Sequence, residues 1–243
     1  MALKRIKDND IISNWFDYSL DLESRIIYMG SVYNNMEGES GVDSFMAEYF
    51  IKAMHLMESK DNEKGITILM NNPGGDWYHG MAIYDAIKHS SCFCTIKVFG
   101  HAMSMGSLIL QAADHRIMMP SSRFMIHYGY NSVNNHSKIY EKWSEENKIL
   151  LYDMENIYLD QMMKKEEEEG TGYLTRIITS IMTRLKSKEY PYPGNSVYKF
   201  SRSSKVKREE LRDVLREMLN FDTILTAKET VDLGLADEVF YRN

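Results

Sequence analysis

The sequence predicts an α/β fold built on a mainly parallel sheet. Three observations predict it. A short continuous apolar run at Ile66–Met70 (Ile-Thr-Ile-Leu-Met) is typical of a buried strand, and Phe93–Val98 reads as another strand. Segments with apolar residues at helical spacing lie between them. The runs are also punctuated by turn residues, most clearly Asn71-Asn72-Pro73-Gly74-Gly75. Strand and helix signals in alternation indicate βαβ units, whose sites lie at the carboxyl ends of the strands.

Taken in order, residues 1–20 carry no clear pattern. Ser24–Gly30 reads as a first strand closed by glycine, and Asn34–Ser40 as a polar loop. Val42, Phe45, Met46, Tyr49, Phe50, Ala53 and Met57 make Gly41–Ser59 an amphipathic helix. Ile66–Met70 is expected to be buried on both faces. Helices are expected at Gly80–His89 and Ser104–Ala113, and short strands at Arg116–Met119 and Phe124–His127. Tyr140–Lys165 reads as one long helix, well over the ordinary 11–12 residues. Its partial apolar stripe (Trp143, Leu150, Met154, Ile157, Tyr158, Met162) suits packing against another subunit. The run Glu166–Gly170 is expected to end that helix as a solvated loop. Further helices are expected at Tyr173–Lys186, Lys207–Leu219 and Ala227–Leu233, a turn at Tyr190–Asn195, and a last strand at Glu238–Tyr241. No internal repeat or linker stands out, so residues 1–243 are read as one domain.

Bulk properties exclude several classes. The 243 residues suffice for a substantial core, and 44% apolar content argues against disorder. A net charge of −6 disfavours a nucleic-acid surface. No apolar run reaches the roughly 20 residues that a membrane helix needs. Met1–Lys7 has signal-like charge, but Asp8-Asn9-Asp10 follows where an apolar core would lie, so a soluble cytoplasmic protein is expected. Cys92 and Cys94 sit too close in sequence for an ordinary disulfide and have no second pair to build a zinc site, so they are read as core residues.

The chemistry centres on Gly100-His101-Ala102-Met103-Ser104-Met105-Gly106. A serine between small residues, after a strand and before a helix, is a common place for a nucleophile, although a serine at a helix start is more often only an N-cap. The helix N-terminus adds free N–H groups and a positive dipole end, which suit a developing oxyanion. His127, at the end of Phe124-Met125-Ile126, is the candidate base; His101 competes on proximity. Asp222, in Asn220-Phe221-Asp222-Thr223, is the candidate carboxylate, and Asp114, Asp232 and Asp237 are equally available from composition. Gly74 and Gly75 offer unencumbered backbone N–H groups. On the residues alone a serine hydrolase is plausible, without metal or cofactor.

Five blocks then combine: Met70–Gly75, Gly80–Asp85, Gly100–Gly106, Pro120–His127, and Asp222–Glu229 with Gly234–Val239 after it. In this order they resemble the Clp protease proteolytic subunit (ClpP) family of serine peptidases, over about Phe16 to Phe240 with one interruption. The resemblance implies a crotonase-like spiral of βαβ units with a protruding helical handle, matched by about residues 138–165. It implies Ser104 as nucleophile, His127 as general base, Asp222 as orienting carboxylate, and the N–H groups of Gly75 and Met105 as the oxyanion hole. It further implies a homo-oligomer of one or two stacked heptameric rings. These would enclose a chamber that hydrolyses unfolded polypeptide fed by a separate AAA+ unfoldase. The absence of a Gly-x-x-x-x-Gly-Lys-Ser/Thr loop agrees with an ATPase on another chain.

The sequence departs from the family pattern in three places. Asn72 replaces the usual serine before Pro-Gly-Gly. Tyr128-Gly129 replaces the common Gln-Pro after the histidine. About Glu166–Arg202 reads as an insertion that would block ring stacking, replace the usual contact or shield the chamber. Competing readings are a capsid-maturation protease on the same fold, a crotonase-like acyl-CoA enzyme that would not need the three side chains together, and a silent ring subunit.

Overall fold

The computed structural model describes residues 8–31, 33–34, 38–129, 137–186 and 208–242. They form two compact units. The first comprises the described residues up to Ser122 together with the closing strand from Glu238; the second comprises those between Arg123 and Asp237. The expected turn at Tyr190–Asn195 lies outside the described residues, as do residues 187–202 of the expected insertion.

The first unit is a sheet with helices. It begins with α1 (Asp8–Tyr18), β1 (Leu20–Asp21), β2 (Ile26–Gly30) and a small antiparallel pair, β3 (Tyr33–Asn34) with β4 (Gly38–Glu39). Both α1 and this pair fall where the residues show no clear pattern or read as a loop. There follow α2 (Ser44–Lys60), β5 (Ile66–Asn72), α3 (Trp77–Lys88), β6 (Cys94–Met103), α4 (Met105–Leu110) and β7 (His115–Met118). Chain order resumes in the second unit with β8 (Arg123–Ile126), α5 (Ser137–Glu169), α6 (Tyr173–Lys186), α7 (Arg208–Leu219), β9 (Thr223–Thr226) and α8 (Ala227–Asp232). β10 (Glu238–Val239) returns to the first unit.

In the first unit the strand order is β1-β2-β5-β6-β7-β10, and every neighbouring pair except β1 with β2 is parallel. The fold is therefore mixed α/β with a parallel-dominated sheet. On β5 the burial alternates: Ile66, Ile68 and Met70 are fully buried, whereas Thr67 and Leu69 are only partly covered. This corrects the expectation of burial on both faces. The second face is sheltered but not sealed, and period 2 still governs which side chains enter the core. α2 contributes Phe50, Met54 and Met57 to that core, and its start is fixed by Asp43, whose carboxylate accepts the Met46 N–H at 2.8 Å.

β6 runs five residues beyond the expected Val98. Met70 pairs with Val98 but Asn72 pairs with Ala102, so β6 carries an irregularity between these points. Gly100 sits there with φ +71°, and the Asn71 side chain accepts the His101 N–H at 3.3 Å. A bulge breaks the alternation and its glycine looks like a stop, which is why the sequence shows a shorter strand.

In the second unit, β8 and β9 form an antiparallel pair. α5 is 33 residues long and includes Glu166–Glu169, contrary to the expected solvated loop. Glu166 follows Tyr158 and Met162 at steps of four, so it lies on the buried stripe, and it is 1% exposed. Its carboxylate accepts the N–H groups of Gly172 at 2.5 Å and Leu174 at 2.8 Å, at the start of α6. α6 buries Leu174, Ile178, Ile181 and Leu185, and Arg184 makes a two-pronged contact with Glu229 at 2.6 and 3.0 Å. The part of the expected insertion that is described is thus packed into the unit.

Two outcomes follow from this packing. Glu166→Ala leaves two helix-start N–H groups without their acceptor and is expected to cost about 1–3 kcal/mol, read as a lowered denaturant midpoint. Burial pushes the Cys94 thiol from 9.0 up to about 11. The fold keeps this thiol protonated where the unfolded chain would ionise, so its contribution is complete below the unfolded value and is lost as pH rises through the folded one. Denaturant midpoints between about pH 8 and about pH 11 are expected to fall more steeply in wild type than in Cys94→Val.

Candidate active site

Ser104 lies between the last residue of β6 and the first of α4, in a left-handed backbone conformation with φ 51° and ψ −123°. For a residue with a Cβ this costs on the order of 1–3 kcal/mol, and such strain is held only when the surroundings enforce it. Here they do. A Cβ on Gly74 would fall 2.5 Å from the Ser104 Cβ and 3.0 Å from its Oγ, so only glycine lets that turn lie against the serine. A Cβ on Gly106 would come within 3.0 Å of the Asn72 carbonyl and side-chain oxygens. The Ser104 side chain makes no capping bond to α4, unlike an ordinary N-cap serine.

α4 has six residues, shorter than the expected Ser104–Ala113. So short a helix carries little macrodipole. What remains of the expected anion-stabilising end is local: Met105 is the first helical residue, and its N–H has no acceptor within the helix.

The Pro73-Gly74-Gly75 turn is built by Asn72. That residue is fully buried, and its Oδ1 accepts the Gly74 N–H at 2.9 Å. The Gly74 carbonyl accepts the Val42 N–H at 2.5 Å, and the Asp76 N–H reaches the Val42 carbonyl at 2.8 Å. Val42 and Gly75 form a parallel bridge. In such a bridge the partner uses both its backbone groups on the residues flanking Gly75, so the N–H and C=O of Gly75 itself point to the opposite side. Of the two candidate glycine donors, Gly74 is already spent on Asn72 and Gly75 is the one turned away. Asn72 was visible in the sequence only as a departure from a family pattern; an asparagine two residues before a glycine is also an Asx-turn signal.

In the second unit, His127 and Asp222 come together. His127 follows β8 and Asp222 precedes β9. The ladder pairs Ile126 with Thr223, so the next pair in the same register is His127 with Asp222. Their side chains meet at 2.8 Å, from Nδ1 to Oδ1. A carboxylate only accepts, so Nδ1 is the donor, and in the neutral ring Nε2 is then the acceptor. The imidazole side chain is 16% exposed and the carboxylate 56%. Two of the three competing acids are engaged elsewhere: Asp114 accepts the Cys94 N–H at 2.7 Å, and Asp232 pairs with Lys228 at 2.7 Å. His101 lies within β6 of the first unit.

Tyr128 and Glu155 also belong to this region, and sequence reasoning did not select Glu155. Tyr128 donates its N–H to the Leu219 carbonyl at 2.9 Å and its hydroxyl to Glu155 at 2.8 Å. Arg212 and Arg216 of α7 reach the same carboxylate at 3.0 and 2.9 Å. Burial pushes the Glu155 carboxyl up, but bonds from Arg216, Tyr128 and Arg212 outweigh it and hold the group below its ordinary range. Burial and the Glu155 carboxylate push the Tyr128 phenol well above its usual value. Among the described residues, no three His, Cys, Asp or Glu side chains cluster as a metal site, and no helix is long and apolar enough to cross a membrane.

Comparison with known proteins places these features in a family. A family profile described as Clp protease matches residues 18–171, and the chain belongs to the Clp protease family. The matched stretch holds Gly75, Ser104, Met105 and His127 and stops before Asp222. Among curated proteins, the chain is 38% identical over 114 residues to an ATP-dependent Clp protease proteolytic subunit of Deinococcus radiodurans, covering 46% of this chain and 52% of that relative. The chain thus spans about half the length of the relative it matches. Neither finding favours an acyl-CoA enzyme.

Gly74→Ala tests the turn. The added methyl collides with Ser104 and needs a φ that alanine adopts poorly. Destabilisation of about 1–3 kcal/mol is expected, read by thermal melting.

Proposed function

We propose that this protein is a serine endopeptidase of the Clp type, with Ser104 as nucleophile, His127 as general base and Asp222 as orienting carboxylate. The observation that carries this reading is the hydrogen bond between His127 and Asp222, which leaves Nε2 of the ring as a proton acceptor. The strained Ser104, whose side chain does not cap α4, supports it from the first unit.

The chemistry runs in two acyl transfers. Ser104 Oγ attacks the peptide carbonyl carbon as its proton passes to His127 Nε2. Asp222 holds the Nδ1–H and stabilises the imidazolium that forms. The negative oxygen of the tetrahedral intermediate takes N–H bonds from Gly75 and Met105. Collapse breaks the C–N bond, and His127 returns the proton to the leaving amine. Water, deprotonated by the same imidazole, then releases the acid and restores Ser104.

Membership of the Clp protease family supports a ring-forming homo-oligomer that cuts polypeptide inside a chamber. The exposed apolar side chains in the first half of α5 (Ile139, Trp143, Ile149, Tyr152) supply surface for subunit contacts. The Deinococcus relative is named as ATP-dependent. The sequence here has no phosphate-binding loop of the Gly-x-x-x-x-Gly-Lys type, so the proposal includes a separate AAA+ unfoldase that delivers unfolded substrate. Cytoplasmic location completes the reading.

Intact-mass analysis after fluorophosphonate treatment tests the assignment. Wild type is expected to gain one adduct and Ser104→Ala none. Asp222→Asn is expected to label about 10³–10⁴-fold more slowly, because the wrong histidine tautomer is then stabilised. An adduct retained in Ser104→Ala, or no adduct on wild type, would overturn it.

A further inference from the structure

We infer that Tyr128 and Glu155 are positioning residues that fix His127 against Asp222. The inference rests on the catalytic reading of those two side chains.

His127 stands one step beyond the β8–β9 ladder, whose last pair is Ile126 with Thr223. Beyond that pair the chain is anchored at Tyr128, by its N–H on the Leu219 carbonyl and its hydroxyl on Glu155 Oε1. Glu155 is 4% exposed on α5. Its carboxylate is itself held by Arg212 at Oε2 and Arg216 at Oε1. Both arginines belong to α7, which ends at Leu219, three residues before Asp222. One buried carboxylate therefore grips the residue after His127 and the helix that leads to Asp222. The two members of the pair are referred to a common point.

This arrangement does more than fill space. Tyr128 is only half-buried, so its ring alone does not hold the backbone at His127. The hydroxyl bond is directional, and its acceptor is fixed from two sides by guanidinium groups that cannot deprotonate. A small displacement of a base relative to its nucleophile lowers the rate far more than it lowers stability. Tyr128 and Glu155 touch neither substrate nor reacting atoms in this scheme. Their effect passes through His127.

Tyr128→Phe removes the hydroxyl and keeps the ring, the Leu219 bond and both arginine bridges. Fluorophosphonate labelling is measured against reagent concentration, to separate the maximal rate from half-saturation, alongside a thermal melt. The expected result is a maximal labelling rate lowered about tenfold with half-saturation within about twofold of wild type. A folded Tyr128→Phe whose maximal rate stays within about twofold of wild type overturns the inference, as does a change confined to half-saturation. If Tyr128→Phe melts far below wild type, Glu155→Gln is judged by the same two outcomes. Wild type and Ser104→Ala run beside both variants. Labelled wild type with a blank Ser104→Ala keeps the catalytic reading whatever Tyr128→Phe does; an unlabelled wild type ends that reading and the positioning role with it.

Discussion

The antiparallel register of β8 and β9 sets what the second unit can do. Four residue pairs run from Arg123 with Thr226 to Ile126 with Thr223. Side chains alternate across a strand, so a slip of one residue would turn His127 to the opposite face from Asp222. The register is protected by burial: Phe124, Ile126 and Leu225 are fully enclosed, and a slip would expose them. The capping box at Thr226 and Glu229 adds a second lock, because it fixes where β9 must end and α8 begin. The Arg184 guanidinium on Glu229 ties α6 into that lock. A hydrogen bond between two polar side chains is thus placed by apolar packing and a helix cap, neither of which takes part in any chemistry.

The first unit solves a different problem, which is to keep a non-glycine residue at positive φ. Under the proposed role as nucleophile, Ser104 must carry a side chain, so strain there cannot be relieved by substituting glycine. The structure moves that freedom to the neighbours instead. Gly74 takes φ +110° and Gly75 φ +144°, which lets the turn approach the serine without a Cβ in the way. Asn72 then holds the turn from inside. Its side-chain oxygen accepts the Gly74 N–H, a turn bond that a serine hydroxyl makes more weakly.

These differences explain which parts of the molecule the sequence reveals. Burial is periodic and local, so the strands at Ile66 and Phe124 and the helices at Ser44 and Tyr173 can be read from spacing. Pairing between distant groups is not periodic. His127 and Asp222 are 95 positions apart, and only the order of five blocks pointed to them together. The end of β6 was hidden by a bulge that resembles a stop. In the Glu166–Glu169 run charge marks solvent for Glu167–Glu169, which are exposed on the helix, but not for Glu166, which is buried. The step of four from Tyr158 through Met162 continues to Glu166, and following that step further would have placed this carboxylate inside. Glu155 also stands four residues before Leu159 and seven before Met162, which marks it as buried, but nothing along α5 announces that two arginines will arrive from α7.

The Glu155 cluster also bears on why a buried charge is kept at all. Replacing a buried ion pair by well-packed apolar residues is often neutral or stabilising, because desolvation offsets much of the attraction. Stability alone therefore does not account for a glutamate enclosed with the nearly buried Arg212, a side chain only 3% exposed. An apolar cluster would hold α5 to α7, but loosely, since apolar contacts have no preferred direction. Three donors on one carboxylate permit few arrangements, and each donor comes from a different residue: Tyr128, Arg212 and Arg216. The physical return on the desolvation cost is a fixed orientation. In this chain that orientation is delivered one residue away from the imidazole.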